Sequence, residues 1–208
     1  PEKAQNAARE IGEGALGLSA DVRDYGAIRA AMEHVVDRFG KMDIVVSGAA
    51  GNFLAPVLGM SANAFRTVVD IDLNGTFNVF RGCHDLLNRP GASLIAITAG
   101  QAVNAMAMQA HACAAKAGIN QLIRVLALEW GPEVRVNGIS AGPIKTLASS
   151  GVGGLRKMLD YVKTVTPLKR NVTQEEVGNT AAFLCSDLAG YVTGIELNVS
   201  GGVELFVF

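Results

Sequence analysis

Short apolar strand patterns alternate with longer helical patterns along the whole chain, and this alternation restricts the possible folds most. The apolar runs are rich in β-branched residues and too short for buried helices, whereas the segments between them repeat apolar residues at helical spacing. Strands that are buried on both faces and separated by helices indicate a doubly wound parallel sheet between helix layers. We therefore predict one domain over residues 1–208 with a three-layer α/β/α fold. The predicted strands are Ala15–Val22, Met42–Val46, Ala92–Thr98, Val134–Ile139 and Ile195–Val199, and the predicted helices are 2–11, Tyr25–Phe39, Ser61–Leu87, Met106–Trp130 and Thr173–Cys185.

Composition argues against several classes of function. The net charge is −1 and no basic cluster occurs, so we expect no nucleic-acid partner. No run of about 18 apolar residues is present, so we expect no membrane span. Cys83, Cys113 and Cys185 are odd in number and outside any CxxC spacing, which predicts reduced thiols in a cytoplasmic protein. The three histidines lack metal-ligand spacing, so we expect no metal site.

The most specific motif surrounds Lys116. A small-residue helix, QAHACAAKAG, is followed by LALEWG, VRVN and GPI, and in this order the segments resemble the second half of the short-chain dehydrogenase/reductase family. That family usually carries a tyrosine four residues before the lysine, where this chain has Ala112. Enoyl-acyl carrier protein reductases place it seven residues before, where this chain has Gln109, and the position of the family's serine is Ala99. The resemblance therefore implies a Rossmann fold without the usual alcohol dehydrogenase chemistry.

Two branches of this family account for the rest of the chain. Residues up to about 139, with VVSGAAGNF and NAFRTVVDIDLNGTFNV, resemble peroxisomal-type 2,4-dienoyl-CoA reductases, and residues 140–188 resemble bacterial enoyl-acyl carrier protein reductase. Both branches reduce a carbon–carbon double bond conjugated to an acyl thioester. The resemblance implies a nicotinamide-dependent reductase of this kind, with NADP favoured and NAD possible. It also implies an acyl-CoA or acyl carrier protein thioester as substrate, and a homotetramer.

Asp72 and Lys116 are the predicted catalytic residues. Asp72 is an acidic residue inside an otherwise apolar helix, which makes it a candidate for handling a proton, although it could instead bond to backbone at a helix kink. The resemblance places Lys116 on the nicotinamide ribose, and the alternative is an ordinary surface lysine. His111 adjoins the missing tyrosine position and is either a replacement acid or a packed or subunit-facing histidine.

The resemblance also assigns residues to binding. Asp21 and Val22 would hold the adenine, and Ser47 stands where the family has the first asparagine of its Asn-Asn-Ala-Gly turn. Tyr161 lies in the segment that covers substrate in this family. The full cofactor set is Asp21, Val22, Ser47, Ala49, Ala50, Gly51, Lys116, Gly142, Pro143, Ile144 and Thr146, and the substrate set is Asn52, Phe53 and Tyr161.

One unit of a dinucleotide-binding fold is not found in the sequence. Such folds open with a strand, a Gly-rich turn and a helix, because backbone N–H groups at a helix N-terminus bind the pyrophosphate. We therefore expect the chain to be the retained part of a longer protein, with about one strand–helix–strand unit before Pro1. Two other functions stay open, namely a generic carbonyl or alcohol oxidoreductase and a non-catalytic dinucleotide-binding protein.

Overall fold

Four parallel strands form one sheet in the computed structural model, which describes residues 1–144 and 154–205. β1 (Ile44–Ser47) pairs with β2 (Ala92–Ala99), β2 with β3 (Val134–Ala141), and β3 with β4 (Glu196–Val199). Because every pairing is parallel, the carboxyl ends of the strands lie at one edge of the sheet. The chain segments that follow the strands at this edge are where open α/β sheets bind ligands.

The predicted helices occur in the predicted order, two of them with different bounds, and one helix that was not predicted, Leu155–Val165, is also present. The helix predicted from Met106 begins at Ala110, and the one predicted over Ser61–Leu87 is interrupted by a π-helical turn, Asp70–Asn74. Within the described ranges, no helix is both long and apolar enough to cross a membrane. The helices are α1 (Glu2–Ile11), α2 (Tyr25–Phe39), α3 (Ala62–Val69), α4 (Gly75–Cys83), α5 (Ala110–Trp130), α6 (Leu155–Val165) and α7 (Gln174–Cys185).

Both faces of the sheet are covered, and the side chains of β2 show how. Leu94 and Ala96 are completely buried in a cluster that contains residues of α2, α4 and α5. Ile95 points to the other face and is completely buried with Leu184 of α7. Successive side chains of a strand alternate between faces, so a strand buried on both faces is apolar throughout. The predicted three-layer α/β/α fold with a doubly wound parallel sheet is confirmed.

The strand predicted over Ala15–Val22 is wrong. This segment pairs with no strand of the described residues, and the outward-facing Ile44 and Val46 of β1 are each 50% exposed. A strand needs a neighbouring backbone to complete its hydrogen bonds, and strand-forming side chains do not supply one. Val22 instead packs on α4, where the backbone O of Val22 accepts a 2.9 Å hydrogen bond from Asn78 Nδ2.

A capping box formed by Thr173 and Glu176 begins α7. Thr173 Oγ1 accepts a hydrogen bond from the Glu176 N–H at 3.2 Å, and Glu176 Oε2 accepts one from the Thr173 N–H at 2.9 Å. We expect Thr173→Ala to lower the free energy of unfolding by about 1 kcal/mol, because a helix N–H loses its partner. Urea unfolding measures this, and Glu175→Gln in the same turn should change the value by less than about 0.5 kcal/mol. A Thr173→Ala variant as stable as the parent would contradict the role of the cap.

Candidate active site

Three positions of the predicted site lie at the carboxyl ends of the first three strands. Ser47 is the last residue of β1, Ala99 is the last residue of β2, and Gly142 directly follows β3. Neither Ala99 nor Ala112 carries a hydroxyl group, so the two positions that the serine and tyrosine would occupy contribute only methyl groups. Any polar chemistry at this edge must come from other residues.

A buried ion pair joins Asp72 and Lys116 at this edge. The distance from Lys116 Nζ to Asp72 Oδ2 is 3.4 Å, and both residues are buried, with Asp72 only 1% exposed. Lys116 Nζ also donates to the backbone O of Ile97 at 3.1 Å, and Asp72 Oδ1 accepts from the Gly51 N–H at 2.7 Å. Burial raises the pKa of the Asp72 carboxyl, and the positive charge of Lys116 acts in the opposite direction. Lys116 is therefore not a surface lysine.

Local helix geometry brings the two charges together. Asp72 lies in the π-helical turn, and such turns occur frequently at functional sites. The turn is braced by Thr76, whose hydroxyl donates to the Asp72 backbone O at 2.7 Å and accepts from Ser47 Oγ at 3.1 Å. At Gly118 of α5, an added Cβ would come within 2.8 Å of Leu73. Glycine at this position therefore allows α5 to approach the turn closely, two residues after Lys116.

The loop after β1 contacts three parts of the site with three successive residues. Gly51 donates its N–H to Asp72, and Asn52 Nδ2 donates to Gln109 Oε1 at 2.7 Å. Phe53 packs edge to face against the His111 ring, with the ring centroids 4.2 Å apart. The loop carries the predicted substrate residues Asn52 and Phe53. It thus links the ion pair to the start of α5.

His111 is completely buried within the chain. Its Nδ1 accepts a hydrogen bond from the Ala112 N–H at 2.7 Å, and its Nε2 has no hydrogen-bond partner among the described residues. Burial lowers the pKa of the imidazole, and the nearby Asp72 carboxylate acts in the opposite direction. A buried imidazole of this kind is neutral at pH 7, which makes it a weak candidate for a charged proton donor.

The other predicted binding residues differ in their surroundings. Asp21 is exposed and its carboxylate pairs with Arg23, whose side-chain hydrogen bond lowers the pKa of Asp21 to about 2. Tyr161 is 52% exposed on α6. Gly142 is buried, and an added Cβ there would come within 3.0 Å of Ser200 Cα. Thr146 lies outside the described residues, Ala49 and Ala50 are exposed, and Pro143 and Ile144 are partly buried.

Sequence reasoning missed two polar residues at this edge. Gln109 marks the place of a missing phenol in the sequence, and in the structure it is a buried polar residue at the N-cap of α5 that bonds to Asn52. Thr76 follows Asp72 by four residues, and this helical spacing was the available signal. In the part of the chain that the structure describes, no group of His, Cys, Asp or Glu side chains could hold a metal ion.

Comparisons with known proteins agree with this geometry. The family model described as enoyl-(acyl carrier protein) reductase matches residues 1–204. The chain is similar to a peroxisomal 2,4-dienoyl-CoA reductase of Pongo abelii, with 41% identity over 97% of this chain and 70% of the relative. It is also similar to an enoyl-[acyl-carrier-protein] reductase [NADH] of Synechocystis, with 41% identity over 91% of this chain and 75% of the relative.

Solved structures of enoyl reductases and short-chain dehydrogenases have the same fold as this chain. The crystal structure of enoyl-[acyl-carrier-protein] reductase (NADH) from Aquifex aeolicus superposes with a TM-score of 0.91 at 28% identity, covering 100% of this chain and 85% of that one. A short-chain dehydrogenase from Bacillus anthracis gives a TM-score of 0.87 at 32% identity, covering 100% of this chain and 84% of that one. The chain therefore belongs to the enoyl-(acyl carrier protein) reductase family of short-chain dehydrogenases/reductases.

Proposed function

We propose that the chain reduces a 2,4-dienoyl thioester with a nicotinamide cofactor. Family membership makes it a nicotinamide-dependent reductase of carbon–carbon double bonds in enoyl thioesters. The observation that carries the choice of a conjugated thioester over a ketone is the buried Asp72–Lys116 pair, together with alanine at positions 99 and 112. A ketone reductase needs a hydroxyl donor for the nascent alkoxide, whereas a conjugated thioester can be protonated at carbon. The dienoyl-CoA reductase relatives support a dienoyl thioester as the substrate.

The described residues fit the nicotinamide-ribose end of such a cofactor. Lys116 has three N–H donors, and among the described residues only two acceptors contact its amine, namely Asp72 Oδ2 and the backbone O of Ile97. The remaining donor can bind a ribose hydroxyl. Ala49 and Ala50 are exposed and small, so a flat cofactor could lie against this loop. When bound, the reduced nicotinamide supplies the hydride.

The role of the ion pair follows from charge development on the substrate. Addition of hydride at the δ carbon shifts the double bonds, so that negative charge reaches the thioester oxygen. Asp72 and Lys116 would hold a water beside the α carbon, and this water would give its proton to that carbon. Lys116 can re-protonate the hydroxide that is left, and solvent restores the lysine. The product is then a 3-enoyl thioester, as the names of the dienoyl-CoA reductase relatives state for those enzymes.

The deciding experiment is a cofactor-consumption assay of the intact protein. It uses NADPH or NADH with 2,4-dienoyl-CoA, trans-2-enoyl-CoA and a 3-ketoacyl-CoA. We expect the dienoyl-CoA to be reduced fastest. Turnover of the ketone alone would favour the generic carbonyl reductase, and cofactor binding without any turnover would favour the non-catalytic alternative.

NADP is our proposal for the preferred cofactor. It is supported by the resemblance to dienoyl-CoA reductases, and a structure of Bacillus cereus enoyl-acyl carrier protein reductase with 29% identity to this chain contains NADP⁺. The Synechocystis relative is named as an NADH enzyme, so the dissociation constants of NADPH and NADH must be compared.

A cytoplasmic location stays a prediction. Cys83, Cys113 and Cys185 are all free thiols, which suits a reducing compartment.

A homotetramer is the predicted assembly. Large apolar side chains remain exposed on the helices expected to pair, including Phe65 of α3, Phe77 of α4 and Leu128 of α5. Leu126 of α5 lies in the core and does not contribute to this surface. Exposed apolar patches on neighbouring helices are typical of subunit interfaces. Light scattering at micromolar concentration should give four times the chain mass, and a monodisperse monomer would contradict the prediction.

A further inference from the structure

Two glutamate carboxylates lie side by side at the carboxyl ends of β2 and β3. Glu196 of β4 accepts hydrogen bonds from Thr98 Oγ1 and, at 2.7 Å, from Asn120 Nδ2. Glu204, in the turn after β4, accepts one from Ser140 Oγ at 2.8 Å. Thr98 and Ser140 are paired in register on β2 and β3, and paired strands lie about 4.8 Å apart. The two hydroxyl groups are therefore neighbours, and so are the carboxylates that they bind.

A glycine lets Glu196 reach across the sheet. Glu196 is in register with Gly138 of β3, whereas its partner Thr98 lies one strand further on, on β2. An added Cβ at Gly138 would come within 2.8 Å of Ile123 and 3.5 Å of Thr98. Only a residue without a side chain at position 138 leaves room for the carboxylate between the sheet and α5.

The cluster of Glu196 and Glu204 is short of hydrogen-bond donors. Asn120 is only 8% exposed, and its Oδ1 has no hydrogen-bond partner among the described residues. Across residues 1–144 and 154–205, neither glutamate forms an ion pair. A buried acceptor without a partner requires an explanation. A proton on one of the two carboxyl groups would supply a further donor and remove one of the two charges.

Glu204 holds its proton more tightly than an exposed glutamate does. Burial raises the pKa of Glu204, the hydrogen bond from Ser140 opposes this, and the Glu196 carboxylate raises the pKa further. The described groups that face Glu204 from other packed elements are Ser140 of β3 and, in the loop after β2, Gly100 and Asn104. None of these three can ionise. Glu196 is thus the charged neighbour against which Glu204 loses its proton.

The turn that carries Glu204 supports the loop after β2. The backbone O of Glu204 accepts a hydrogen bond from Asn104 Nδ2 at 3.1 Å, and an added Cβ at Gly100 would come within 3.2 Å of Glu204 Cγ. The same loop carries Gln101, which donates to Gln109 Oε1 at 3.3 Å at the start of α5. Glu204 therefore contacts a loop that borders the candidate active site.

We propose that Glu204 is a positioning residue that holds the loop Gly100–Asn104 at the active site when protonated and releases it when ionised, so that KM for the acyl thioester rises with pH. This inference rests on the proposed function for its kinetic effect. Ionisation gives one proton to solvent and places a second negative charge beside Glu196. The two carboxylates then repel each other, which loosens the contacts of Glu204 with Ser140 and the loop.

Kinetics between about pH 5 and about pH 8 test this positioning role. We expect KM of the parent for 2,4-dienoyl-CoA to rise by about 5-fold or more over this range, the lower end of a coupling between two sites. Glu204→Gln keeps the size and the acceptor oxygen but cannot ionise, so its KM should stay near the low-pH value of the parent. Glu196→Gln should show a smaller rise, because an ionised Glu204 then has no charged neighbour. Titration of Asp72 is common to all three proteins, so the ratio of parent KM to variant KM is compared at each pH.

Hydrogen–deuterium exchange measures the loop without any substrate. The N–H groups of Val103 and Asn104 both donate to the backbone O of Gly100, at 3.1 and 2.8 Å. At about pH 8 these two amides should exchange about 5-fold faster or more in the parent than in Glu204→Gln, and at about pH 5 they should exchange at the same rate. Comparing the two proteins at one pH cancels the intrinsic pH dependence of exchange.

Glu10→Gln is the matched control, because Glu10 is exposed on α1 and the change removes the same charge. This variant should follow the parent in both measurements. A ratio between parent and Glu204→Gln that does not change with pH, in KM or in exchange rate, would overturn the proposal. If Glu204→Gln melts at a lower temperature, Glu196→Gln decides by the same comparison, since a purely structural role predicts ratios that are independent of pH.

The two hypotheses can fail separately. If the parent reduces no thioester, the proposed function fails, and the exchange rates alone decide on Glu204. If the parent reduces dienoyl-CoA and both ratios are independent of pH, only the role of Glu204 is removed.

Discussion

Reduction of dienoyl-CoA should fall by about 10²–10⁴-fold when Asp72 is replaced by asparagine, which is the usual contribution of a general acid–base group. The amide keeps the size of the carboxylate and can still accept the hydrogen bond from the Gly51 N–H. It carries no charge, so it cannot polarise a water together with Lys116. Single-turnover rates with NADPH measure the loss, and the NADPH dissociation constant should stay nearly constant.

Asp70→Asn is the matched control for this prediction. Asp70 begins the same π-helical turn, and its carboxylate accepts a 2.8 Å hydrogen bond from Asn74 rather than contacting Lys116. We expect this variant to retain the parent rate. Full dienoyl-CoA turnover by Asp72→Asn would show that Asp72 only braces the helix, and the search for the proton donor would move to His111 or Tyr161.

The free energy of unfolding gives a second readout for Asp72→Asn. Burial raises the pKa of Asp72 in the folded state above the ordinary value of 3.8, so the folded chain holds this proton more tightly than the unfolded chain. The contribution of Asp72 to stability therefore decreases as the pH rises from about 4 through the raised pKa. Asp72→Asn removes this decrease. Its free energy of unfolding relative to the parent should be higher at pH 7 than at pH 4, as measured by urea unfolding.

The second large effect is expected from Lys116→Ala. The cofactor would lose one charge-assisted hydrogen bond worth about 1.5–3 kcal/mol, which corresponds to about 10- to 150-fold weaker NADPH binding. The reduction rate should fall as well, because Asp72 is left buried without its partner charge. Isothermal titration calorimetry measures the affinity.

Lys163→Ala is the control for Lys116→Ala, since Lys163 is half exposed on α6 and pairs with the exposed Asp160. It should leave both affinity and rate unchanged. Parent-like NADPH affinity and rate in Lys116→Ala would restrict Lys116 to a structural role in the core.

Much of the fold and part of the site follow from the sequence alone. The strands Ala92–Ala99 and Val134–Ala141 were predicted within two residues, because an apolar run buried on both faces has few other conformations. The capping box at Thr173 was predictable because the cap is a local interaction over four residues. Lys116 and the missing hydroxyls at Ala99 and Ala112 were also identified, since a motif records residue types at fixed spacing.

Tertiary structure decided the features that depend on distant parts of the chain. Ala15–Val22 was predicted as a strand from the alternating pattern but forms none, because pairing requires a neighbouring backbone. The proximity of Asp72 to Lys116 depends on the π-helical turn and on the close approach at Gly118, and neither has a periodic signal. The orientation of Gln109 is set by Asn52 and Gln101, which are 57 and 8 residues away in the sequence. Periodicity and local spacing determine the elements of this protein, whereas the directions of its buried polar groups arise only when the elements pack.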